Sequence, residues 1–414
     1  MTLAQQGSIS VVVMKSFASQ STKSWVVALS TLAALGACGG ESAHGPHGTG
    51  GGPSSHGGAP ATAGGAGAAS GVNDAEAGTG DSGDAGSAAG GASDEPPTVD
   101  CDPIQFADPE LEATVRALLR KPSGALTVAD VNGFSDLTTQ SISSLKGVEC
   151  LTDLTTLDIG SLPPGTVTDL GPIATLKKLQ TLSITRLPIA SIEPLGKLPE
   201  LQTLYMFKMP VELDLAPLAT APKLEFLDMN GDTVRSLAPL GGVSTLRTLN
   251  LRSSTVLQPE SAAALTSVQD LDATGVFSDA APFAGLTKLT RLRIGGKPLS
   301  NVSSLAGLTQ LKYLDITSTG TSDLTAVASM QQLVGLAAPG NQISDVTPLQ
   351  GLANLSLLIL VDNRVTDISP LVGNPGLANG DFVYLNKNPL SCAAQLANFQ
   401  AMQARGVQVN SDCP

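Results

Sequence analysis

A nine-residue frame that recurs from residue 151 onward constrains the fold more than any other feature. The frame L-x-x-L-x-x-L-x-L begins as LTDLTTLDI at Leu151, and ten further copies follow at spacings of 25, 22, 23, 22, 22, 21, 22, 22, 22 and 22 residues. Between frames a second pattern returns, as in DVTPL at Asp345 and DISPL at Asp367. A fixed period of this length indicates stacked structural units, because one unit cannot bury its apolar face alone.

The spacing of apolar residues within the frame predicts one short strand in each unit. Side chains alternate across a strand, so the third and fourth apolar residues of the frame point into the core and their neighbours face solvent. Strands of successive units would lie in parallel at about 4.8 Å per unit. The other leucines and the Pro-Leu segments then fill the core from the turns and the opposite side.

This pattern resembles the leucine-rich repeats of the internalin type, over nearly all of residues 101–414. The resemblance implies an α/β repeat fold, a right-handed solenoid of about 11 repeats of 22 residues. Its concave side would be a parallel β-sheet, and its convex side short 3-10 or extended segments. The repeats would span residues 151–388, between an N-terminal helical cap at 101–150 and a C-terminal cap at 389–414.

The family commonly has Asn three residues past the fourth frame position, where the side chain satisfies backbone groups in the turn. This chain has Asn there only in its last three units, as Asn341, Asn363 and Asn388, whereas earlier units carry residues such as Asp232 and Thr319. The turns of the N-terminal half are therefore expected to be less regular.

The sequence of each cap predicts short elements. Asp108 followed by Pro109 predicts a helix N-cap and first turn, and a second short helix is predicted from Thr127. Both resemble the helical cap that precedes the repeats in internalin-like proteins. The C-terminal cap is predicted to contain a helix from about Cys392 to Ala404, followed by a short strand.

Two cysteines lie in each cap, and three pairings of the four are formally open. Pairing within each cap is favoured because the caps lie at opposite ends of the solenoid, beyond the Cα separation of about 7 Å that a disulfide tolerates. The predicted disulfides join Cys101 to Cys150 and Cys392 to Cys413, as in proteins of an oxidising compartment. A zinc site is the alternative, but the paired CxxC or CxxH spacing is absent.

Residues 1–37 have the basic and apolar regions of a secretory signal peptide, and Met14 begins a more usual basic region where translation could start. The apolar run is too short to span a bilayer. LGAC, ending at Cys38, resembles the lipobox of bacterial lipoproteins, which implies a lipid anchor with palmitate-type acyl chains on Cys38. Gly39 is not the Asp that retains such lipoproteins in the inner membrane, so the outer membrane or cell surface is expected. A buried or disulfide-bonded Cys38 is the alternative.

Residues 38–100 are predicted to be a disordered tether that begins with the lipidated Cys38. Positions 39–100 contain 19 Gly and 13 Ala and no Lys or Arg, so they cannot bury a core. A flexible chain of this kind would hold the folded domain away from the membrane. The three His of the protein lie here and are interpreted as solvated linker residues, because no rigid element would fix their geometry around a metal.

Residues 101–414 contain no His and no Trp, which excludes a His-based triad, a His general base and a His metal ligand. No G-x-x-x-x-G-K-[ST] phosphate-binding motif occurs. The net charge of −13 leaves no excess of cations for a phosphate backbone. We therefore expect no cofactor, no metal site and no nucleic-acid partner. Carboxylate pairs are the only catalytic chemistry left open.

The solvent-facing strand positions, three per unit, define the predicted concave face, which holds six of the 11 Phe and Tyr of residues 101–414. Aromatic enrichment at exposed positions indicates a binding surface. Strand propensity, which also favours aromatic residues, is the alternative explanation. The predicted ligand-binding residues are Tyr205, Phe207, Phe226, Asp228, Asn250, Arg252, Asp270, Asp272, Arg291, Arg293, Tyr313, Asp315, Leu357, Ile359, Phe382 and Tyr384.

The concave face is predicted to divide into a charged and an apolar region. Asp270 and Asp272 stand beside Arg291 and Arg293 of the next unit, and Asp315 lies beyond, which predicts a ladder of alternating charge. Neighbouring cations favour the ionised carboxylate, so a glycosidase-like general acid is disfavoured here. Such ion pairs add selectivity rather than stability. An exposed apolar zone is predicted at Ala337, Leu357, Ile359, Val361, Phe382 and Tyr384.

These features together predict a non-catalytic, lipid-anchored protein of the cell envelope. Its concave face would recognise a protein, or a glycan, as in adhesion. One alternative is an envelope polysaccharide hydrolase that uses Asp228, Asp272 and Asp315. Another is a purely structural envelope lipoprotein with no specific ligand.

Overall fold

The computed structural model describes residues 100–160 and 166–413. The predicted signal peptide, the lipidated Cys38 and the tether lie outside the described residues. Within the described ranges, no helix has both the length and the apolarity that a membrane span needs.

The described residues contain sixteen strands, thirteen of which form one parallel sheet. The order in that sheet is β1-β2-β3-β4-β6-β8, followed by β10 to β16 in sequence. Strands β5, β7 and β9 form a second parallel sheet. The strands are β1 (Asp136–Gln140), β2 (Thr156–Gly160), β3 (Thr181–Thr185), β4 (Thr203–Phe207), β5 (Glu212–Leu213), β6 (Phe226–Asp228), β7 (Thr233–Ser236), β8 (Thr248–Asn250), β9 (Thr255–Gln258), β10 (Asp270–Asp272), β11 (Arg291–Arg293), β12 (Tyr313–Asp315), β13 (Gly335–Ala337), β14 (Leu357–Ile359), β15 (Phe382–Tyr384) and β16 (Gln408–Asn410).

The register of the large sheet follows the repeat. In β2 the third and fourth frame residues, Leu157 and Ile159, are fully buried. Leu157 pairs with the equivalent Leu182 of β3, and this one-to-one register continues through the repeats. Equivalent side chains therefore stack in columns, and a single aliphatic core runs the length of the domain. The chain is a leucine-rich-repeat solenoid, as the sequence predicted.

Most repeats return on the side opposite the large sheet through a short 3-10 helix, and many of these helices have Pro at their first or second position. Pro suits this position because its fixed φ matches a helical turn and its missing N–H would have no partner there. The Leu of each Pro-Leu segment, such as Leu195 and Leu218, is fully buried. The 3-10 helices are Val148–Cys150, Gly171–Thr175, Glu193–Lys197, Ala216–Thr220, Ala238–Gly242, Pro259–Ala264, Ala281–Phe283, Val302–Gly307, Thr325–Ser329 and Thr347–Leu349. In the unit that ends in the cap, a one-turn α-helix, α2 (Ser369–Val372), takes this place.

The N-terminal cap contains α1 (Pro109–Leu119), whose N-cap is Asp108 as predicted. The Asp108 carboxylate accepts hydrogen bonds from the first turn and from the amide and hydroxyl of Ser143, which tie the helix to the loop after β1. The predicted second helix at Thr127 is wrong, because the segment forms a turn that Asp130 closes by accepting bonds from the Thr127 amide and hydroxyl. Strand β1, which the sequence did not predict, extends the sheet into this cap.

The C-terminal cap contains α3 (Cys392–Ala404) and strand β16, in agreement with the sequence. Both predicted disulfides are present, with Cα–Cα distances of 5.6 Å for Cys101–Cys150 and 5.3 Å for Cys392–Cys413. They cross-link the two regions of the solenoid that have a repeat on one side only.

The turns that follow the strands show what the Asn position contributes. The Asn363 Nδ2 donates to the carbonyl oxygens of Ala338 and Leu360, at 2.8 and 3.1 Å, and its Oδ1 accepts from the Ile343 amide. Asp232 holds the same position in an earlier unit, and its Oδ1 likewise accepts from the Met209 amide at 2.7 Å. Its Oδ2 is buried without a hydrogen-bond partner.

Candidate binding face

The solvent side of the large sheet, the concave face, presents the predicted ligand-binding residues in three columns. Its N-terminal half is dominated by three half-buried rings, Tyr205 and Phe207 of β4 and Phe226 of β6, which we name the aromatic cluster. The Tyr205 ring centroid lies 5.2 Å from that of Phe226 and 5.7 Å from that of Phe207, at interplanar angles of 51° and 38°. The register produces this cluster, because Tyr205 pairs with Asp228 and so lies diagonally opposite Phe226.

Asp228 lies against the aromatic cluster and is only 5% exposed. Its Oδ2 accepts a hydrogen bond of 2.9 Å from the Asn250 amide group, and its Oδ1 accepts one of 3.1 Å from the Asn230 backbone amide. Burial, together with the charge of Asp272, raises the pKa of Asp228 to about 6, against the lowering effect of these bonds. Burial and the charge of Asp228 also raise the pKa of Tyr205.

Asp228 differs from the carboxylates of the charge ladder, for which the sequence disfavours a general acid because of their cationic neighbours. Asp228 takes part in none of the salt bridges of the described residues. Burial also raises the pKa of Asp158, three strands nearer the N-terminus in the same column, although Ser183 donates a hydrogen bond to it. The carboxylates of the N-terminal half therefore lie in a different environment from those of the charge ladder.

The charge ladder forms where the sequence placed it. Asp270 pairs in register with Arg291, and Asp272 with Arg293. The Arg291 guanidinium makes an ion pair with the Asp270 carboxylate, and Arg293 Nη1 lies 3.8 Å from Asp270 and 3.6 Å from Asp272. These side chains retain 18–28% exposure, so they hold one another in fixed orientations while their edges remain accessible to a partner.

The ladder ends differently from the sequence expectation. Asp315 pairs in register with Arg293, but its Oδ1 accepts bonds from the amide and hydroxyl of Thr317 in the turn that follows β12. In the adjacent column, the Arg291 guanidinium lies over the Tyr313 ring, 5.5 Å from the ring centroid. The charged region therefore passes into the aromatic one through a cation–π contact.

The predicted exposed apolar zone is wrong for Leu357 and Ile359, which are both 6% exposed and belong to the buried surface. Ala337 is 7% exposed. Gly335 accounts for this burial because it has no side chain to hold the Tyr313 ring away. A Cβ at position 335 would lie 2.9 Å from Tyr313 Cδ1 and 3.8 Å from Leu357 Cβ. A small residue in β13 thus lets the ring of one strand approach the aliphatic side chain two strands away.

Phe382 and Tyr384 are the accessible part of the C-terminal end, together with Val361, and all three are half-buried. The two rings stack at 6.3 Å between centroids and 11° between planes. Near the middle of the face, Arg252 is exposed and its amide donates to the Asn250 Oδ1 at 2.9 Å. The face thus brings most predicted residues into one surface, with one aromatic region in its N-terminal half and another at its C-terminal end.

No group of three or more His, Cys, Asp or Glu side chains in residues 100–160 and 166–413 is arranged to hold a metal ion.

Comparison with solved structures finds similar chains among leucine-rich-repeat proteins. An internalin of Listeria monocytogenes, InlF, is 25% identical, covers 66% of this chain and 95% of its own, and has a TM-score of 0.48. The functional domain of InlJ from the same organism is 17% identical, covers 69% of this chain and 66% of its own, and has a TM-score of 0.47. A leucine-rich-repeat protein of Leptospira interrogans is 17% identical over 66% of this chain and 88% of its own, with a TM-score of 0.41. No protein-family model and no curated protein matches the sequence.

Proposed function

We propose that this chain is a non-catalytic binding protein of the cell envelope whose concave face recognises a protein partner. The observation that carries the proposal is the aromatic cluster, three half-buried rings on a regular parallel sheet. Exposed aromatic side chains on a rigid support contribute much of the binding energy at protein interfaces. The adjacent charge ladder adds a pattern of positive and negative charge. Such a pattern orients the partner and disfavours binding of proteins with a different charge pattern.

The proposal includes attachment to the membrane through a lipid on Cys38. This rests on the sequence alone: an apolar signal segment, the LGAC motif and a tether rich in Gly and Ala. Two disulfides in the caps agree with a location outside the reducing cytoplasm. Several acyl chains on one cysteine would give a stable anchor where one would not. We place the folded domain at the outer membrane or cell surface.

Affinity capture with the full chain from envelope fractions tests the binding function. Alanine at Phe207 and at Tyr384 is expected to reduce recovery of a specific partner at least tenfold, as truncation of interface rings commonly does. Serine at Leu257 is the matched control, because Leu257 is 50% exposed but belongs to the second sheet. Equal recovery with the wild type and all three variants would contradict the proposal.

Hydrolysis of an envelope polysaccharide is a second candidate, favoured by the elevated pKa of Asp228. A general acid needs such a pKa, and also needs to reach the glycosidic oxygen. Asp228 is 5% exposed and hydrogen-bonded to Asn250, which disfavours contact of its carboxyl with a glycosidic oxygen. We expect no release of reducing ends from purified envelope polysaccharide. Release that disappears in Asp228→Asn or Asp272→Asn would establish the enzyme instead.

A further inference from the structure

The aromatic cluster covers a carboxyl group that has no cation beside it. Asp228 is 5% exposed, and its two hydrogen bonds come from uncharged groups, the Asn250 side chain and the Asn230 amide. It takes part in none of the salt bridges found in the described residues. A buried carboxylate without a cation is costly to maintain, so a charge of opposite sign at this position would be strongly favoured.

The three rings have the geometry to receive such a charge. Tyr205 is inclined at 51° to Phe226 and at 38° to Phe207, so the rings do not form a flat platform. The face of an aromatic ring carries negative potential and attracts a cation within about 6 Å of its centroid. Centroids 5.2 and 5.7 Å apart allow one cationic group to lie within that range of two rings together.

The combination sets this part of the face apart from the other aromatic and charged regions. Asp270 already has the Arg291 guanidinium as its partner. The stacked rings of Phe382 and Tyr384 have only uncharged neighbours in the adjoining strands, namely Leu357, Ile359, Gln408 and Asn410. Rings and an uncompensated carboxylate come together at Asp228.

We propose that the aromatic cluster and Asp228 form a subsite for a cationic side chain, a lysine or an arginine, of the protein partner. This inference rests on the proposed function, because it names the chemistry that the concave face recognises. The cation would lie on the rings while the carboxylate beneath acts on it through a region of low dielectric constant. A sugar ring would also stack on these rings, but it carries no positive charge to compensate that of Asp228.

Binding at this subsite is expected to depend on pH because Asp228 itself titrates, and the ionisable groups that face it are acidic and supply no positive charge. They are Tyr205 of the preceding strand, Asp272 two strands further on and Asp232 in the turn that follows. Since the pKa of Asp228 is about 6, the carboxyl is largely ionised at pH 7.5 and largely protonated at pH 5. Affinity for a cation is therefore expected to fall about tenfold between these two values.

Selective labelling of tyrosine gives a direct readout. The protein has three Tyr, and Tyr205, Tyr313 and Tyr384 all lie on the concave face, so ring-¹³C tyrosine gives one reporter for each region of that face. The full chain is titrated with the peptide acetyl-Gly-Lys-Gly-amide, and in parallel with the same peptide acetylated at the lysine Nζ. The lysine peptide is expected to shift the Tyr205 signal with saturation, without saturable change at Tyr384, and the neutral peptide to bind at least tenfold more weakly.

Variants separate the charge from the rings. Asp228→Asn, whose amide oxygen can still accept from Asn250, is expected to weaken the lysine peptide about tenfold and to leave the neutral peptide unchanged. Phe226→Leu keeps an apolar side chain and should weaken the lysine peptide severalfold, whereas the control Phe134→Leu, at a half-buried ring of the N-terminal cap, should not. Equal affinity for the two peptides, or full affinity in Asp228→Asn with native circular dichroism, would overturn the subsite. Partner capture that depends on Phe207 would still stand in that case, so the two proposals fail separately.

Discussion

Replacing Asp232 by Asn should stabilise the protein, and by more at alkaline than at acidic pH. Asp232 occupies the turn position that Asn363 occupies later in the chain, and Oδ1 makes the equivalent bond to a backbone amide in both. The second atom differs: Asn363 Nδ2 donates to two carbonyl groups, whereas Asp232 Oδ2 is buried without a partner. An amide at position 232 supplies the donor that the carboxylate lacks.

The size of the effect follows from the pKa of Asp232. Burial, and the charge of Asp228, raise that pKa from 3.8 to about 7. Between these values the folded state holds a proton that the unfolded state has lost, so stability falls as pH rises, by about 1.4 kcal/mol per pH unit. The loss begins near pH 4, is complete above pH 7 and amounts to about 4 kcal/mol as an upper value.

Urea unfolding at pH 5 and pH 8, followed by circular dichroism, measures this directly. The wild type also loses stability through Asp228, whose pKa is raised to about 6, so the difference between variant and wild type reports Asp232 together with its electrostatic coupling to Asp228. That difference is expected to grow by about 3 kcal/mol from pH 5 to pH 8.

A reciprocal variant serves as the control. Asn363→Asp places a carboxylate oxygen against the carbonyl groups of Ala338 and Leu360, so it should destabilise the protein and do so more at pH 8 than at pH 5. A constant difference between wild type and Asp232→Asn across this range would refute the reasoning, because Asp232 would then titrate alike in the folded and unfolded states.

Arg293→Glu should weaken partner capture at least tenfold by reversing the ladder, and unchanged capture would remove the ladder from the interface. Leu357→Ala should cost about 2–3 kcal/mol in urea unfolding because the side chain is buried, whereas a cost below about 0.5 kcal/mol would mean that it is a surface residue. Alanine at both Cys392 and Cys413 should lower the free energy of unfolding by about 3 kcal/mol through the lost loop constraint, with an unchanged value contradicting this. Cys38→Ala should release the chain from the membrane fraction and remove globomycin-sensitive processing, and a variant that still sediments with membranes would exclude the lipid anchor.

The register of the sheet was predictable because the frame imposes it. A one-residue slip would turn Leu157 and Ile159 of one repeat to solvent, and the same penalty applies in every repeat. The contact of Asp270 with Arg291 follows from the same regularity, since equivalent positions in neighbouring units must be adjacent. Residues at equivalent positions of successive units are therefore neighbours over the whole face.

Burial at individual face positions was not predictable, because it depends on neighbours in other repeats. Leu357 is covered because Gly335 leaves room for the Tyr313 ring, and neither residue is close to it in sequence. Asp228 is only 5% exposed although the pattern marks its strand position as exposed, and its neighbours on that face include Tyr205 of the adjoining strand and Phe226 of its own. Burial at these positions depends on the size and rotamer of neighbouring side chains in other repeats. The repeated frame specifies neither of them.

Photo-crosslinking in intact cells tests the central claim, recognition through the concave face, most directly. A benzophenone amino acid is introduced at Phe207 in the aromatic cluster, and separately at Leu257 on the second sheet, which is 50% exposed. We predict a discrete crosslinked protein, identified by mass spectrometry, from position 207 and none of the same mass from position 257. The same adduct from both positions, or from position 257 alone, would contradict the account.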